Sequence, residues 1–372
     1  MHVPFYRHDL GSTELEAIGR VLAQPILTTG EVVDQFERRF AQLMGTRHSL
    51  AVTSCTGAMQ ILLQALDIGP GDEVITTSMT FIATATAIMQ AGATPVLVDC
   101  ERDTGNLDAA KVEKAITPRT RAIVPVHLYG QMCDMRTLRT IADRHNLKIV
   151  EDCAHCVEGS RDGIRPGQLS NGACFSFFAT KNLTCGEGGA IAFNDDSIAR
   201  KLRLLRLHGM DKTAADRHRE GYTHWDMVSF GWKYNMSNIE AAMLIPQLDR
   251  LAAKLEARQR LATRYRERLS TLAGLTLPAL RPDTIHAWHL FPVWVPNRDE
   301  VMAQLKRREI ESVVNYRAIH LTTHLGKTLG HGRGDFPNAE WIGDHTVSLP
   351  FYPTMDPAAV DYVCDALKEI LG

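Results

Sequence analysis

The sequence predicts an α/β protein in which helices cover both faces of a mostly parallel β-sheet, and two observations support this fold class. Between about residues 45 and 195, short apolar runs alternate with stretches of helical character. The run Ala122–Val126 is apolar along its whole length, as expected for a strand that is buried on both faces. After about residue 275, strands and a helix begin again, so we expect a second, smaller α/β domain.

The predicted elements of the sheet follow one another along the first half of the chain. Each expected strand is short and apolar, and a longer stretch with helical spacing separates it from the next strand. In chain order the elements are strand His48–Thr53, helix Ala58–Leu66, strand Glu73–Thr77, helix Ala83–Ala91, strand Thr94–Val98, helix Ala109–Ala115, strand Ala122–Val126, helix Met135–His145 and strand Lys148–Glu151. Parallel strands need crossover connections of this kind, which are usually helices.

Beyond these strands the pattern changes. Ala173–Phe178 and Gly189–Asn194 are predicted as two strands that flank a glycine-rich turn. A long helix is predicted to begin near Ser237, because apolar residues recur at helical spacing through the charged stretch that ends at Arg268. The predicted C-terminal elements are strands Phe291–Val295 and Val313–Asn315 and helix Glu300–Arg308. We therefore predict a large domain over residues 1–245 and a small domain over residues 246–372.

The overall composition is that of an ordinary globular protein and argues against several function classes. Of the 372 residues, 45% are hydrophobic and 23% are charged, and the formal net charge is -2. Without a basic excess, no nucleic-acid partner is expected. No apolar run approaches the ~18 residues of a membrane span, and the first residues lack the apolar core of a signal peptide. We therefore expect a cytoplasmic protein with no membrane partner.

Eight cysteines are scattered along the chain, a pattern that does not suggest a disulfide framework. Cys153 and Cys156 flank His155 in a CxxC spacing that zinc sites and redox centres use. A zinc site would need a second ligand pair, and the sequence has no second CxxC. We therefore expect no metal and interpret both cysteines as small buried side chains behind a catalytic strand.

Polar and aromatic residues follow several predicted strands at their C-terminal ends, where parallel sheets bind ligands. Ser54-Cys55-Thr56-Gly57-Ala58 joins a strand to a helix, and the free N–H groups of a helix start suit a phosphate. Ordinary N-capping is the alternative interpretation of this motif. Phe81 follows the next strand and can stack on a flat cofactor, although a core position is the alternative.

Two further strand ends carry acid–base and amine chemistry. Asp152 and His155 follow the strand that begins at Lys148, where a carboxylate can hold a protonated pyridine nitrogen. The alternative is a pair of solvated acids, Glu151 and Asp152, beside an ordinary histidine. Lys181 follows an aromatic strand inside a glycine-rich loop, where a desolvated amine can form a Schiff base; a surface lysine is the alternative. Together the four features predict a site for pyridoxal 5'-phosphate (PLP).

Several motifs resemble those of the DegT/DnrJ/EryC1/StrS sugar aminotransferases, which are fold-type-I PLP enzymes with a seven-stranded sheet. Glu151–His155 and Phe175–Gly189 carry the resemblance, which extends over essentially the whole chain. Further stretches that share it are Leu27–Gly30, Gly71–Thr76, His127–Gly130, Leu207–Met210, Trp232–Met236 and His286–Phe291. Several of them are most similar to the branch that acts on UDP-linked 4-keto pentoses and hexoses.

The resemblance implies a role for each residue that matches a family motif. Lys181 would hold the cofactor as a Schiff base and carry the proton of the transamination, and Asp152 would pair with the pyridine nitrogen. Phe81 would stack on the ring, and His155 would lie near the phenolic oxygen. Four residues would bind the phosphate, namely Thr56, Gly57, Ser176 and, from the neighbouring subunit, Asn235. The active unit implied is therefore a homodimer with shared active sites.

The sequence departs from the family at two positions. Cys55 stands where the family often has a smaller residue, and Asn315 precedes Tyr316 where a histidine is usual. Asn315 and Tyr316 are expected to border the substrate, so the identity of the sugar is in question at this point. The candidate substrate-side residues are Thr29, Asn315, Tyr316 and His320.

The resemblance implies a ping-pong transamination with L-glutamate as the amino donor and a nucleotide-linked 4-keto-6-deoxy sugar as the acceptor. The product would be an amino sugar for a surface glycan such as lipopolysaccharide. One alternative is amination of a keto-inositol, and another is a non-catalytic ligand sensor on the same fold. Relatives that dehydrate a sugar have histidine in place of Lys181, and a nicotinamide enzyme would need a GxGxxG motif that Ser54–Gly57 does not supply.

Overall fold

The computed structural model describes residues 1–212 and 224–372 of the chain. Its strands are β1 (His48–Val52), β2 (Glu73–Thr77), β3 (Thr94–Val98), β4 (Thr120–Val124), β5 (Lys148–Asp152), β6 (Ser160–Arg161), β7 (Gly172–Ser176), β8 (Gly189–Phe193), β9 (Thr284–Ile285), β10 (Phe291–Trp294) and β11 (Thr346–Leu349). Its α-helices are α1 (Ser12–Leu22), α2 (Glu31–Met44), α3 (Cys55–Ala65), α4 (Ile82–Gln90), α5 (Ala109–Val112), α6 (Met135–Arg144), α7 (Asp196–Arg206), α8 (Asn238–Leu269), α9 (Arg298–Arg307), α10 (Thr323–Leu329), α11 (Pro337–His345) and α12 (Pro357–Leu371).

Seven strands form the central sheet in the order β1-β8-β7-β5-β4-β2-β3. β8 runs antiparallel to its neighbours β1 and β7, and the other neighbouring pairs are parallel. Apolar side chains fill both faces of this sheet, as the continuous apolar strands predicted. The predicted fold class, a mostly parallel seven-stranded sheet between helices, is confirmed.

Helices pack on both faces of the sheet through different kinds of side chain. On one face, α3 and α7 contribute Leu62 and Leu202 to an aliphatic cluster with strand residues. On the other face, α2 and α8 pack against an aromatic cluster in which the rings of Phe40 and Phe175 lie 5.0 Å apart, edge to face. Tight packing on both sides holds the strand ends in fixed positions.

The C-terminal part of the chain has its own apolar core. The antiparallel pair β10–β11 packs against α8, α9 and α12, and Tyr265 of α8 stacks on Phe291 of β10 with ring centroids 4.6 Å apart. The predicted strand Val313–Asn315 is reduced to a single antiparallel bridge between Val313 and Ser348. The helix α8 runs through residue 245, so the predicted boundary between the two domains falls within a continuous helix. The division itself stays a prediction.

The parallel strands bring the candidate residues to one edge of the sheet. Asp152 ends β5, Ser176 ends β7, and the loop after β1 leads directly into α3. Gly189 opens β8 beside that loop, where a Cβ atom would lie 2.5 Å from the carbonyl carbon of Ser54. Only glycine therefore fits this close approach. In the described part of the chain, no helix combines the length and apolar character needed to cross a bilayer.

Candidate active site

An open cleft of about 410 Å³ lies at the C-terminal edge of the sheet. Its volume lies within the ~300–1,000 Å³ typical of ligand pockets. The cleft brings together eight residues that the sequence singled out from separate segments, namely Thr56, Phe81, Asp152, His155, Ser176, Lys181, Asn315 and Tyr316. The predicted convergence of strand ends is therefore present in the structure.

Asp152 is a buried acid, with only 5% of its surface exposed. One carboxylate oxygen accepts a hydrogen bond from the Thr84 hydroxyl at 2.8 Å, and the other accepts from the Ala154 N–H at 3.1 Å. Burial raises the pKa of Asp152, and these hydrogen bonds and the charge of Lys181 oppose the shift. A buried carboxylate needs a cationic partner, so the site fits a protonated ring nitrogen.

The interpretation of Glu151 and Asp152 as a solvated pair is wrong, because both side chains are buried. Glu151 points away from the cleft into the large domain. Its carboxylate accepts hydrogen bonds from the Gly167 N–H at 2.7 Å and the Ser170 hydroxyl, and it pairs with His127 at 2.7 Å. Glu151 therefore anchors the end of β5 while Asp152 faces the cleft.

Lys181 lies in the turn after β7 and lines the cleft. Its backbone N–H donates to the Phe178 carbonyl at 2.9 Å, and its Nζ lies 3.3 Å from His289 Nε2. Burial lowers the pKa of Lys181 to about 8, with the negative charge of Asp152 opposing the shift. A substantial fraction of the amine is therefore neutral near physiological pH, which attack on a carbonyl carbon requires. A freely solvated surface lysine would not have this environment.

The start of α3 forms the proposed phosphate-binding end of the cleft. The Thr56 and Ser176 side chains line it, next to the positive end of the helix dipole. The Ser54 hydroxyl accepts a hydrogen bond from the Gly57 N–H at 3.0 Å, so this N–H is engaged in N-capping. The hydroxyl groups of Thr56 and Ser176 and the start of α3 therefore fit a phosphate. The predicted contact between Gly57 and the phosphate would compete with the hydrogen bond from the Gly57 N–H to Ser54.

Aromatic side chains form the opposite wall. Phe81 is 53% exposed, which excludes the core position considered as its alternative, and its ring centroid lies 5.6 Å from that of Tyr316. The Tyr316 hydroxyl lies 2.9 Å from His155 Nε2, and His155 Nδ1 accepts a hydrogen bond from the Tyr129 N–H at 3.2 Å. A flat cofactor between Phe81 and Lys181 would therefore contact the rings of His155 and Tyr316, which hydrogen bonds already hold in position.

Four predicted site residues do not line this cleft: Gly57, Thr29, Asn235 and His320. Asn235 Nδ2 donates to the Thr29 hydroxyl at 2.8 Å, so these two residues form one cluster. His320 is buried, and its Nε2 lies 3.0 Å from Glu340 Oε1. This pairing gives no support to the predicted contact of His320 with substrate.

The CxxC cysteines are both buried and free of disulfide bonds. His127, Glu151 and Cys153 place potential ligand atoms within 4.8 Å of one another. The Glu151 oxygens already have partners, and His127 Nδ1 accepts a hydrogen bond from the Cys133 N–H at 3.2 Å. These contacts describe a structural network behind β5, in line with the interpretation of the cysteines as small buried side chains.

Comparison with known proteins adds the family. The chain belongs to the DegT/DnrJ/EryC1/StrS aminotransferase family. The match covers residues 8–368. The chain is 39% identical to the spore coat polysaccharide biosynthesis protein SpsC of Bacillus subtilis over 99% of this chain and 97% of that protein.

Solved structures agree with this assignment. DesV of S. venezuelae, solved in complex with a ketimine intermediate, has a TM-score of 0.94 and 38% identity over 100% of this chain and 98% of that chain. The PLP form of the sugar aminotransferase Spr1654 from Streptococcus pneumoniae has a TM-score of 0.93 and 28% identity over 100% and 98% of the two chains. The protein is therefore a PLP-dependent sugar aminotransferase, and the predicted cofactor is confirmed. The sensor and nicotinamide alternatives are wrong.

Proposed function

We propose that the enzyme moves an amino group from L-glutamate to a nucleotide-linked 4-keto sugar, such as a UDP-4-keto-6-deoxyhexose. We further propose that the reaction takes place in the cytoplasm and supplies an amino sugar for a surface glycan such as lipopolysaccharide. Support comes from SpsC, whose name assigns it to polysaccharide biosynthesis and which is 39% identical to this chain. Amination of a keto-inositol is the alternative acceptor chemistry.

The observation that carries the proposal is the buried Asp152 that shares an open cleft with Lys181. Bound PLP supplies an electron sink for the substrate carbon that loses a proton. Asp152 would hold positive charge on the ring nitrogen, because a buried carboxylate favours a cationic partner. The Lys181 amine removes the proton from Cα of the donor, and in the second half-reaction it returns a proton to C4 of the sugar.

The cleft and a second cavity meet at Lys181, which suits two different substrates. The cleft is open and is bordered by Asn315 and Tyr316, so it offers room for a bulky acceptor. The second cavity also reaches Lys181 and is lined by Arg7, Lys254 and Arg258 among others. Lys254 pairs with Asp9 at 2.7 Å and Arg258 pairs with Glu158, so Arg7 is the cation of these three that is left to meet a carboxylate of a donor such as L-glutamate. We propose this cavity as part of the donor side.

Spectroscopy and an acceptor panel test this function. On adding L-glutamate, we expect the absorbance of the Lys181-bound cofactor to be replaced by that of the amino form, because the first half-reaction needs no acceptor. A UDP-4-keto-6-deoxyhexose should then restore the original spectrum within seconds, whereas a keto-inositol should not. Restoration by the keto-inositol alone would favour the alternative acceptor, and no spectral response to L-glutamate would contradict the donor.

We propose a shared active site in which Asn235 reaches the phosphate in the neighbouring subunit. Asn235 and Thr29 lie outside the cleft of their own chain, and Asn235 has a partner that keeps its amide in a fixed place. Exposed aromatic side chains support a partner surface, since Phe230 is 63% exposed and Phe178 is 44% exposed. A homodimer would cover such residues and complete each site.

Mixed dimers test this arrangement. Asn235→Ala should weaken PLP binding by about 10–100-fold, because it removes one hydrogen bond to a charged group. In an excess of Lys181→Ala subunits, each Asn235→Ala subunit pairs with a partner that still has Asn235. Its Kd for PLP should therefore return to the wild-type value, measured by the absorbance that only subunits with Lys181 develop. If PLP binding stays weak in the mixed dimers, Asn235 acts in the active site of its own subunit.

A further inference from the structure

A chain of polar contacts runs behind Lys181, on the side away from Asp152. His289 Nε2 lies 3.3 Å from Lys181 Nζ, and His289 Nδ1 lies 3.3 Å from Asn182 Oδ1. Asn182 Nδ2 donates at 3.0 Å to Glu158 Oε2 and at 3.0 Å to the Ala287 carbonyl. His289, Asn182 and Glu158 were not predicted as site residues, although His289 and Asn182 lie in family-like stretches.

A buried ion pair forms the far end of this chain. Arg258 of α8 pairs with the other oxygen of Glu158, and Arg258 Nε donates to the Ala287 carbonyl at 3.2 Å. Both side chains are almost completely buried. Glu158 therefore accepts from Asn182 on one oxygen and pairs with Arg258 through the other. The contacts connect α8, the segment before β10 and the turn that carries Lys181.

The acceptors at Asn182 determine which nitrogen of His289 carries the proton. Two oxygen atoms, one from Glu158 and one from Ala287, surround Asn182 Nδ2, so the amide nitrogen must face them and Oδ1 must face His289. An amide oxygen only accepts hydrogen bonds, and His289 Nδ1 therefore carries the hydrogen. In a neutral imidazole the lone pair is then on Nε2, which faces the amine of Lys181.

The neighbouring His155 has the opposite arrangement. Its Nδ1 accepts from the Tyr129 N–H, so its proton is on Nε2 and points to the Tyr316 hydroxyl. The two imidazole rings lie against each other, with centroids 4.4 Å apart and ring planes tilted by 39°. Burial and the nearby charge of Lys181 lower the pKa of both His155 and His289 well below the ordinary range. The stack is therefore a pair of neutral rings with opposite tautomers.

We propose that His289 is a catalytic residue that accepts a hydrogen bond from the Lys181 amine whenever this amine is free, and that Asn182, Glu158 and Arg258 are positioning residues that fix its tautomer. One N–H of the amine donates to His289 Nε2, so the lone pair of Nζ is free to point into the cleft and accept a proton. The proton that Lys181 takes from the substrate stays on Nζ, and His289 remains neutral. This role rests on the proposed function of Lys181.

The tautomer can be measured in the apoenzyme, with no cofactor or substrate present. Nitrogen NMR of full-length protein labelled with ¹⁵N in its histidine rings separates protonated from unprotonated ring nitrogens. We expect His289 to have its proton on Nδ1 and His155 to have it on Nε2. His289→Phe assigns the His289 signals by their disappearance and keeps an aromatic ring against His155. A His289 that is charged, or protonated on Nε2, in the wild-type apoenzyme at neutral pH would overturn the proposal.

Asn182→Ala tests the positioning residues. Without the amide oxygen, we expect His289 to shift towards the tautomer with the proton on Nε2, while His155 keeps its signals as an internal control. An unchanged His289 tautomer in this variant would contradict the proposed role of Asn182. The wild-type spectrum decides the tautomer by itself, so the proposal stays testable if Asn182→Ala does not fold.

The effect on the chemistry is measured separately in the loaded enzyme. His289→Phe should slow the half-reaction with L-glutamate by about 10–100-fold, the effect of losing one hydrogen bond to a charged group, while PLP still attaches to Lys181. A wild-type rate in this variant would overturn the catalytic role of His289. If the wild-type enzyme itself did not react with L-glutamate, the proposed donor would fail, and the tautomer measurement would stand unaffected.

Discussion

Replacing Lys181 with alanine is expected to reduce the half-reaction with L-glutamate by at least ~10⁴-fold, the upper end of the range for a positioned acid–base group. The amine attaches the cofactor and also carries the substrate proton in our proposal, so a single substitution removes both. Lys181 is half-buried next to His289 and lines the cleft. Stopped-flow absorbance with L-glutamate measures the rate directly.

Substitution of a second lysine, Lys201, is the control for a general loss of positive charge. Lys201 forms an exposed ion pair with Asp67 at 2.7 Å, so Lys201→Ala should leave the rate unchanged. Borohydride reduction followed by mass spectrometry should add the mass of the reduced cofactor to the peptide of Lys181 in the wild type and in Lys201→Ala. Reduction that labels another lysine in the wild type would show that Lys181 is not the attachment residue.

Much of the large domain was predictable because its signals are local. Each strand of the sheet is a short apolar run, and the predicted ranges for β2 and β3 agree with the structure at both ends. The candidate site followed from the same strands, since their C-terminal ends must meet at one edge. The prediction was less complete in the C-terminal part. β9, β11 and the helices α10, α11 and α12 were missed there, and one predicted strand contributes only a bridge at Val313.

The residues behind Lys181 were not predictable from spacing. Arg258 lies in the charged stretch of α8 and has the sequence context of a solvated residue, yet it is almost fully buried against Glu158. Asn182 is next to Lys181 in sequence, but its function depends on His289 and on the Ala287 carbonyl, more than 100 positions away. Contacts with residues that are distant in sequence decide the role of Arg258 and Asn182, and no local sequence pattern predicts these contacts. The burial of Glu151 has the same origin, because its partners Gly167 and Ser170 come from another loop.

Replacing Asp152 with asparagine is expected to lower kcat/KM by about 10²–10³-fold, which is the usual effect of removing one preorganised electrostatic contact. The side chain keeps its size, and its oxygen can still accept from the Ala154 N–H, because a backbone N–H cannot turn away. The amide nitrogen then faces Thr84, whose hydroxyl can rotate to accept. The substitution therefore removes the charge that holds the ring nitrogen protonated and leaves the local packing in place. Steady-state kinetics with L-glutamate measure the loss.

Thr84→Val is the matched control, because it removes the hydrogen bond to Asp152 at 2.8 Å and keeps the carboxylate. We expect it to lower kcat/KM by about 10-fold, the lower end of the range for losing one hydrogen bond to a charged group, because the carboxylate keeps its charge. Wild-type kcat/KM in Asp152→Asn would contradict the proposed role of the charge.

Asp152→Asn should lower activity but raise the stability of the apoenzyme. Burial raises the pKa of Asp152 in the folded state, so ionisation of Asp152 opposes folding without the cofactor. This cost is absent below the ordinary carboxyl range near pH ~4 and grows as the pH rises through the raised pKa of the folded state. Urea unfolding should therefore show Asp152→Asn gaining stability over the wild type as the pH rises, and PLP should reverse the order. The charge of Asp152 therefore destabilises the apoenzyme and stabilises the complex with PLP. The same charge that is needed for catalysis thus helps to retain the cofactor.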